Sequence, residues 1–511
     1  MNAAKRLPKV IGLSTSLRNA RSNVGSDGLV ADVRGKGTRS ELHAYLRERS
    51  RPVRDGTIRA PSDQRPVQTH GCFNSEKRRP HGPLSNSALA MAAALWGAKN
   101  QGVDIDHVDL SQYFPPHGEP VNLEVLKKQL ETADGFLLSG PVYFGDRSSV
   151  AQSFIEMARS EKRLREYLRG KIYAGVAVGA KRNGGQETTL VYQMLDMMNL
   201  GLLAVGNDSE TTSQYGGTGK AGDVGTMVDD DYGLDTSVGA GNRLGRIVQL
   251  SSMAKGYRLK GKLRVSVWLL QDKDQLAYKT IRFLADKLQP DKVQVHIMDF
   301  TERYIHRCIA CDICPTHVDV DGEYRCVIKH DEDLFHKDHA KLIDADAILL
   351  AAYSPEDREN VKSVYQKFIE RTRYLRRGDY VLSDILVAPL VLEDVGSQEN
   401  MHMRIMTSMI RHHTIMHCPV IGRLWRGQLL NQSDVLSKLK GFFDDAAHLT
   451  AGRLTRARLA EGQAETTYNP LGYDWSVEGD KEETVIRKRE AATRLRREKL
   501  SEDGKSRLVS R

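Results

Sequence analysis

The feature that most constrains this chain is an alternation of short β-branched runs with stretches of helical periodicity, and it occurs twice. In the first half the strand candidates are 9–14, 103–110, 135–139, 172–178 and 202–205, with helices expected at 87–100, 148–159 and 187–198. In the second half strands are expected at 263–270, 292–298, 347–352, 385–392 and 419–422, with helices at 275–288, 358–374 and 398–412. Parallel strands need crossover connections, and right-handed crossovers place helices on both faces of the sheet. Two five-stranded, doubly wound α/β domains in tandem are the expectation, and 511 residues suffice for two such cores and more. Ligands of such sheets bind in the loops at the carboxyl ends of the strands.

The formal net charge of +9 invites a nucleic-acid or membrane-surface reading until it is located. Between Arg18 and Pro80 there are fourteen basic and seven acidic residues, and between Ser476 and Arg511 eleven and eight. The two expected cores are left nearly neutral. The first segment, poor in aromatic and β-branched residues, reads as a mobile insert over 19–82 with a short helix at 40–49. The tail reads as an exposed basic helix from about Lys481. The expected boundaries are 1–258, 259–456 and a tail of 457–511. No helix-turn-helix, zinc finger or aromatic-basic stripe supports nucleic-acid binding. No apolar run of about 18 residues predicts a membrane span, and no signal segment is apparent, so a cytoplasmic location is expected.

Three loops in the first half carry chemistry. Ser14-Thr15-Ser16-Leu17-Arg18, resumed after the insert as Ser85-Asn86-Ser87 at a helix start, offers hydroxyls, backbone N–H groups and a cation to a phosphate; ordinary helix capping is the plain alternative. Ser139-Gly140-Pro141-Val142-Tyr143-Phe144-Gly145-Asp146 offers an aromatic, amide-lined surface to a planar ring; a turn with its Tyr and Phe packed inward is the alternative. Gly179 through Glu187 contains Asn183-Gly184-Gly185 at a third strand end, where glycines permit close approach of a ligand.

These segments, GLSTSLR with SNS, SGPVYFGDRSS and GAKRNGGQETTL, resemble the NAD(P)H-dependent FMN reductase superfamily of flavodoxin-like folds and its iron-sulfur flavoprotein branch. The resemblance covers about 9–248. It implies that Ser14, Ser16, Arg18, Ser85, Asn86 and Ser87 hold the FMN phosphate. Pro141, Val142, Tyr143, Phe144 and Gly145 would line the isoalloxazine, and Asn183, Gly184 and Gly185 would complete the pocket. The family's phosphate loop is compact, whereas 66 residues separate Arg18 from Ser85 here. Closure entropy grows slowly with loop length, so such an insertion is tolerable.

In the second half Cys308, Cys311, Cys314 and Cys326 form the pattern C-x2-C-x2-C-x11-C. Three thiols at successive intervals of three can wrap one corner of a [4Fe-4S] cluster while a distant fourth closes it. Structural zinc and unmetallated thiols remain as alternatives; disulfides do not suit a reducing compartment. The iron-sulfur flavoprotein branch resembles this segment, although the last gap is longer than is typical there. The flavin loops of this half are eroded: Gln271-Asp272-Lys273-Asp274 puts carboxylates where a phosphate would lie, and only Gly396-Ser397-Gln398-Glu399-Asn400 echoes the first half. This domain is expected to bind little or no FMN, to carry the cluster, and to pair with the first as a pseudo-dimer. His413 and His417 read as surface or core residues, Cys72 and Cys418 as free thiols, and Trp268, Trp425 and Trp475 as core.

The expected function is an oxidoreductase passing electrons from NAD(P)H through FMN to the iron-sulfur cluster or to a small acceptor such as a quinone, with no catalytic acid or base required. A non-catalytic electron-transfer or redox-sensing scaffold that docks a protein partner is the alternative. Homo-oligomerisation is compatible with either.

Overall fold

The structure is a computed structural model that describes residues 6–18, 28–50, 83–208, 213–223, 225–288, 291–311, 313–314, 317–460 and 480–510. It divides into two compact units, Met1–Gln249 and Leu250–Arg511. No helix among the described residues is long and apolar enough to cross a membrane.

The first unit contains β1 (Lys9–Ser14), α1 (Leu29–Gly35), α2 (Arg39–Ser50), α3 (Asn86–Asn100), β2 (Asp104–Asp109), α4 (Leu123–Leu130), β3 (Gly135–Pro141), α5 (Ser149–Ser160), α6 (Lys162–Leu168), β4 (Ile172–Gly179), α7 (Gln186–Asn199), β5 (Leu203–Ala204), β6 (Gly217–Lys220) and α8 (Asp231–Ala254). β1 lies parallel between β2 and β3, and β3 is followed by β4. Both β5 and β6 pair in parallel with β4, β5 at its start and β6 at its end. The order 2-1-3-4-5 is that of the flavodoxin-like α/β fold. The fifth strand expected at 202–205 is thus only half of the edge. The glycine-rich stretch after it supplies the other half in β6 and then the long helix α8, because Gly97 and Gly241 let α3 and α8 approach backbone to backbone; a Cβ at either would meet the facing carbonyl.

α3 explains the insert. Its sequence is so rich in alanine that Ser87 through Ala98 are all buried, which requires cover on every side. β1 covers one side at Gly12, where Met91 and Leu95 pack. α1 and α2 lie against another side, burying Leu29, Val33, Leu42, Tyr45 and Leu46, and the Trp96 indole N–H donates to the Lys36 carbonyl at 2.9 Å. The expectation of a mobile segment is therefore corrected for residues 28–50. Average composition hid two short apolar faces, Leu29 and Val33 at i, i+4 on α1 and Leu42, Tyr45 and Leu46 at i, i+3, i+4 on α2. The rest of that expectation, at 19–27 and 51–82, and Cys72 with it, lies outside the described residues.

The second unit contains β7 (Tyr257–Leu259), β8 (Leu263–Asp272), α9 (Leu276–Asp286), β9 (Val293–Asp299), the short α10 (Leu334–Lys337) and α11 (His339–Ile343), β10 (Ala347–Ser354), β11 (Lys362–Ser363), α12 (Tyr365–Arg371), α13 (Arg373–Asp379), β12 (Leu386–Asp394), α14 (Met401–Met409), β13 (Ile415–Met416), β14 (Val420–Trp425), β15 (Gln428–Leu429), α15 (Gln432–Leu459), α16 (Asp480–Arg507) and β16 (Leu508–Ser510). The parallel order is β9-β8-β10-β12, with β13 and β14 both on β12. It repeats the order of the first unit, divided fifth strand included. The helix expected over 358–374 begins only at Tyr365, since β11 first pairs antiparallel with the end of β8.

The tail is helical as expected, over Asp480–Arg507, but one side of it is covered. α16 packs along α15, with Arg489, Ala492 and Ser501 buried, and β16 pairs antiparallel with β7. Leu508 closes a small apolar cluster with Ala254, Ala451 and Leu454. Gly504 lies against Leu454 and Arg458 of α15, and ion pairs of the tail reach other elements, Asp503 to Arg264, Lys499 to Glu323 and Arg507 to Asp346. Trp268 is fully buried, but Trp425 is half exposed at the β14–β15 turn, so its assignment to the core is also corrected. Trp475 lies outside the described residues.

Candidate functional site

In the first unit the three loops converge at the carboxyl ends of β1, β3 and β4. The Thr15 N–H donates to the Ser139 carbonyl at 3.0 Å, and the Ser148 hydroxyl, which caps α5, donates to the Thr15 carbonyl at 3.2 Å. Ser139 Oγ donates to the Ser87 carbonyl at 2.8 Å, so β3 also holds the first turn of α3. Gly140 is required here, because a Cβ would run into the Thr15 hydroxyl. Gly185, at φ +99°, lies against the second loop; a Cβ there would come within 2.6 Å of Gly145 Cα.

Ser85 caps α3, accepting the Ala88 N–H at 3.2 Å, and the first-turn N–H groups of Asn86 and Ser87 have no carbonyl partner within the helix. Ser16 Oγ accepts the Arg18 N–H at 3.3 Å, while the Arg18 side chain is exposed. Hydroxyls, a helix N-terminus and an exposed guanidinium fit a phosphate. Two of the expected ligands are otherwise engaged. Ser14 is fully buried with its hydroxyl 2.7 Å from His107 Nε2, and burial holds that imidazole neutral, its pKa pushed down to about 4. The Asn86 amide donates to the Asp223 carbonyl at 2.7 Å and accepts the Met227 N–H at 3.3 Å. Both residues brace the cradle.

The second loop is open. Tyr143 is 57 % exposed and Phe144 wholly so, which removes the inward-packed alternative. Phe144 sits at φ +52° and Gly145 at +81°, a turn closed by mutual Tyr143–Asp146 hydrogen bonds of 2.8 and 2.9 Å. Nothing approaches the position of a Cβ at Gly145 within 4 Å. Opposite, Asn183 (φ +59°) and Gly184 form an exposed turn, and Gln186 fixes it by donating to the carbonyls of Lys181 and Gly219 at 2.7 and 3.0 Å. Exposed aromatics, a strained turn and bare glycine backbone suit a flat ligand laid across the loop. His107, Thr15, Ser148 and Gln186 were not foreseen as site residues. Thr15, Ser148 and Gln186 lie inside the motifs GLSTSLR, SGPVYFGDRSS and GAKRNGGQETTL, whereas His107, on β2, lies outside them.

In the second unit the same position is filled from within. The Asp272 carboxylate accepts the N–H groups of Lys273, Ala277 and Tyr278 at 2.8, 2.9 and 3.0 Å, so the start of α9 already holds an anion. β11 lies across the end of β8, with the Val364 N–H on the Leu270 carbonyl at 2.9 Å.

The cysteine loop runs from β9 to α10. Cys314 is buried and Cys308, Cys311 and Cys326 are half-buried. Burial, and then the negative charge of the other three, pushes the Cys314 thiol up to about 11; burial likewise raises Cys326, with Cys311 and Cys308 adding to it. The four sulfurs therefore lie within electrostatic reach of one another. Yet among the described residues no group of three or more His, Cys, Asp or Glu side chains is gathered tightly enough to hold a metal ion. Four cysteines in one loop, once gathered and deprotonated, are a donor set that an iron-sulfur core or zinc would take. Elsewhere, His413 stacks on Tyr380 at 4.0 Å, and His417 lies 3.7 Å from Asp445.

The sequence model of the NADPH-dependent FMN reductase family matches residues 77–213. An iron-sulfur flavoprotein of Methanocaldococcus jannaschii is 40 % identical over 181 residues, which are 33 % of this chain and 93 % of the relative. An iron-sulfur flavoprotein of Methanosarcina thermophila is 29 % identical over 127 residues, 25 % of this chain and 59 % of that protein. Among solved structures, the WrbA-like flavodoxin of Agrobacterium tumefaciens (TM-score 0.25, 11 % identity, covering 47 % of this chain and 97 % of that one) and RosB with a bound riboflavin-phosphate intermediate (TM-score 0.28, 13 % identity, 47 % and 80 %) are similar. With the flavin-type loops in place and a relative matched over nearly its whole length, the chain belongs to the flavin-dependent oxidoreductase family of NADPH-dependent FMN reductases and iron-sulfur flavoproteins.

Proposed function

We propose that this protein binds one FMN in its first unit, takes electrons from NAD(P)H, and delivers them to a centre held by Cys308, Cys311, Cys314 and Cys326 or to a small acceptor such as a quinone. The observation that supports this most is the contrast between the two units: three loops converging at the strand ends in one, two of them exposed, and in the other a helix start filled by Asp272. Bound FMN would supply exchange between two-electron and one-electron chemistry. Ser16, Arg18, Ser85 and the first N–H groups of α3 would hold its phosphate. Tyr143, Phe144 and Gly145 would support one face or edge of the ring, and Asn183 to Gly185 would close the pocket. The four cysteines would hold a [4Fe-4S] cluster, with zinc as the competing occupant. On this reading the chain is a tandem of a flavin-binding domain, with 19–82 as an insertion, and a cluster-carrying domain.

Anaerobic purification followed by FMN, iron, sulfide and zinc determination tests this reading. One FMN and about four irons per chain are expected from the ligand count. A colourless chain that fails to take up FMN overturns the flavin assignment, and zinc in place of iron overturns the electron path.

A further inference from the structure

The turn that presents Tyr143 and Phe144 has little of its own to hold it in place. Both rings are exposed, so no side-chain burial fixes the turn. Phe144 at φ +52° is in a conformation that persists only where its surroundings impose it. The backbone is pinned on either side: the Val142 N–H donates to the Val178 carbonyl at 3.0 Å, and the Ser148 hydroxyl holds the Thr15 carbonyl. Between these anchors stands Arg147, whose side chain is only 10 % exposed. Its backbone N–H and its Nε–H both donate to Asp146 Oδ1, at 2.7 and 3.2 Å. The same guanidinium forms an ion pair with Asp196 of α7. Arg159, in the last turn of α5, pairs with that carboxylate as well.

α7 meets the same turn a second time. Its N-cap Gly185 lies so close to Gly145 that a Cβ would come within 2.6 Å of the Gly145 Cα and 3.4 Å of Val142 Cγ1. The helix that carries the third loop therefore holds the second loop at two points, by contact at Gly145 and by charge at Arg147. A largely buried ion pair is weak evidence of stability for its own sake, because desolvation offsets the attraction. What a planar guanidinium fork supplies is direction, since it engages two acceptors in one fixed geometry. A loop held in its binding geometry beforehand spares a ligand the cost of ordering it.

Resting on the flavin reading above, we propose that Arg147 is a positioning residue for the ring half of the FMN site: by tying the Tyr143–Gly145 turn to α7 through Asp196, it sets the separation of the second and third loops, between which the ring system would lie. The phosphate half is built from other elements, Ser16 and Arg18 after β1 and Ser85 at the start of α3. Arg147 therefore acts on recognition of the ring and not on recognition of the phosphate.

The test titrates the flavin-free full chain with FMN and with riboflavin, which has the same ring and no phosphate, and follows flavin fluorescence; urea denaturation is measured in parallel. Parent, Arg147→Met, Arg147→Lys, Asp196→Asn and Arg18→Ala are compared. In Arg147→Met both affinities should fall by the same factor, about tenfold, so that the preference for FMN over riboflavin is kept. Arg147→Lys should recover only part of the loss, because an ammonium cannot hold Asp146 and Asp196 as a planar fork does. Asp196→Asn should weaken both flavins alike, whereas Arg18→Ala should weaken FMN alone. An Arg147→Met chain that binds both flavins as the parent does overturns the inference, even with a lowered urea midpoint, since the ion pair is then structural only. A loss confined to FMN overturns it too. Should Arg147→Met not fold, Asp196→Asn decides by the same two affinities. A parent that binds neither flavin overturns the flavin reading and the inference together.

Discussion

Arg507, near the end of the chain, forms a two-pronged ion pair with Asp346 at the foot of β10, Nη1 to Oδ1 at 2.9 Å and Nη2 to Oδ2 at 2.5 Å. The Asp346 side chain is fully buried, and Arg264 reaches it as well through a backbone N–H at 2.9 Å and its guanidinium. The tail that composition marks as a solvated appendage is therefore a strap whose charges are used inside the second unit. Arg507→Ala is expected to destabilise that unit by about 2–4 kcal/mol, less than for a lone buried pair because Arg264 remains. Chemical denaturation followed by the fluorescence of Trp268 would measure it, and a change under 0.5 kcal/mol would show that the strap is ornamental.

The same carboxylate sets a low-pH limit. Burial would raise the Asp346 pKa, but the hydrogen bonds and charge of Arg507, with Arg264 and Arg453, hold it at about 2. The folded value lies below the ordinary one of about 3.9, so this group's stabilisation, on the order of 2 kcal/mol, is present above pH 4 and is lost as pH falls toward 2. Asp346→Asn should be less stable at neutral pH and should flatten that part of the stability–pH curve.

Two buried histidines act in a higher window. Burial pushes His107 down to about 4 and His412 to about 3. Between these values and about 6.5 the unfolded chain binds more protons than the folded one, so stability falls as pH drops through that range. His107→Gln should lessen the slope of first-unit stability between pH 4 and 6.5, read by urea titrations at stepped pH. An unchanged slope would mean that the imidazole is not sequestered beneath the phosphate loop.

In the flavin loops, Ser14→Ala and Gly185→Val separate bracing from binding. Ser14 faces His107, so its loss should cost about 1–2 kcal/mol of stability and leave FMN affinity within about threefold. Gly185→Val places a branched side chain at φ +99° against Gly145 and should weaken FMN at least tenfold with the sheet intact. Arg18→Ala should also weaken FMN, and more so at low salt. Fluorescence titration of apo-protein with FMN decides all three.

Asp272→Ala should release three N–H groups at the start of α9 and cost about 1–3 kcal/mol in the second unit. FMN stoichiometry should remain one per chain, because β11 still lies across the end of β8. A second equivalent of FMN in the parent chain would contradict the filled cradle.

Much of this molecule can be read from residue order alone. The strands at 9–14, 135–139 and 263–270 announce themselves as short apolar runs, since a sheet covered on both faces admits little else. The loops follow, because in such sheets they fall at strand ends. Cys308, Cys311, Cys314 and Cys326 stand out by spacing. What neighbours along the chain determine ends there. That Ser14 would turn to His107, that Asn86 would be spent on Asp223 and Met227, and that Asp272 would fill its own helix start are choices between partners distant in sequence. The insert and tail show the same division most clearly. Their composition is polar and basic, and by that measure they should be solvated; an alanine-rich helix needing cover and a buried Asp346 needing cations decide otherwise. Charge and composition report what a segment tends to do in water, whereas Leu42, Tyr45 and Arg507 obtain their partners only once the sheets have formed.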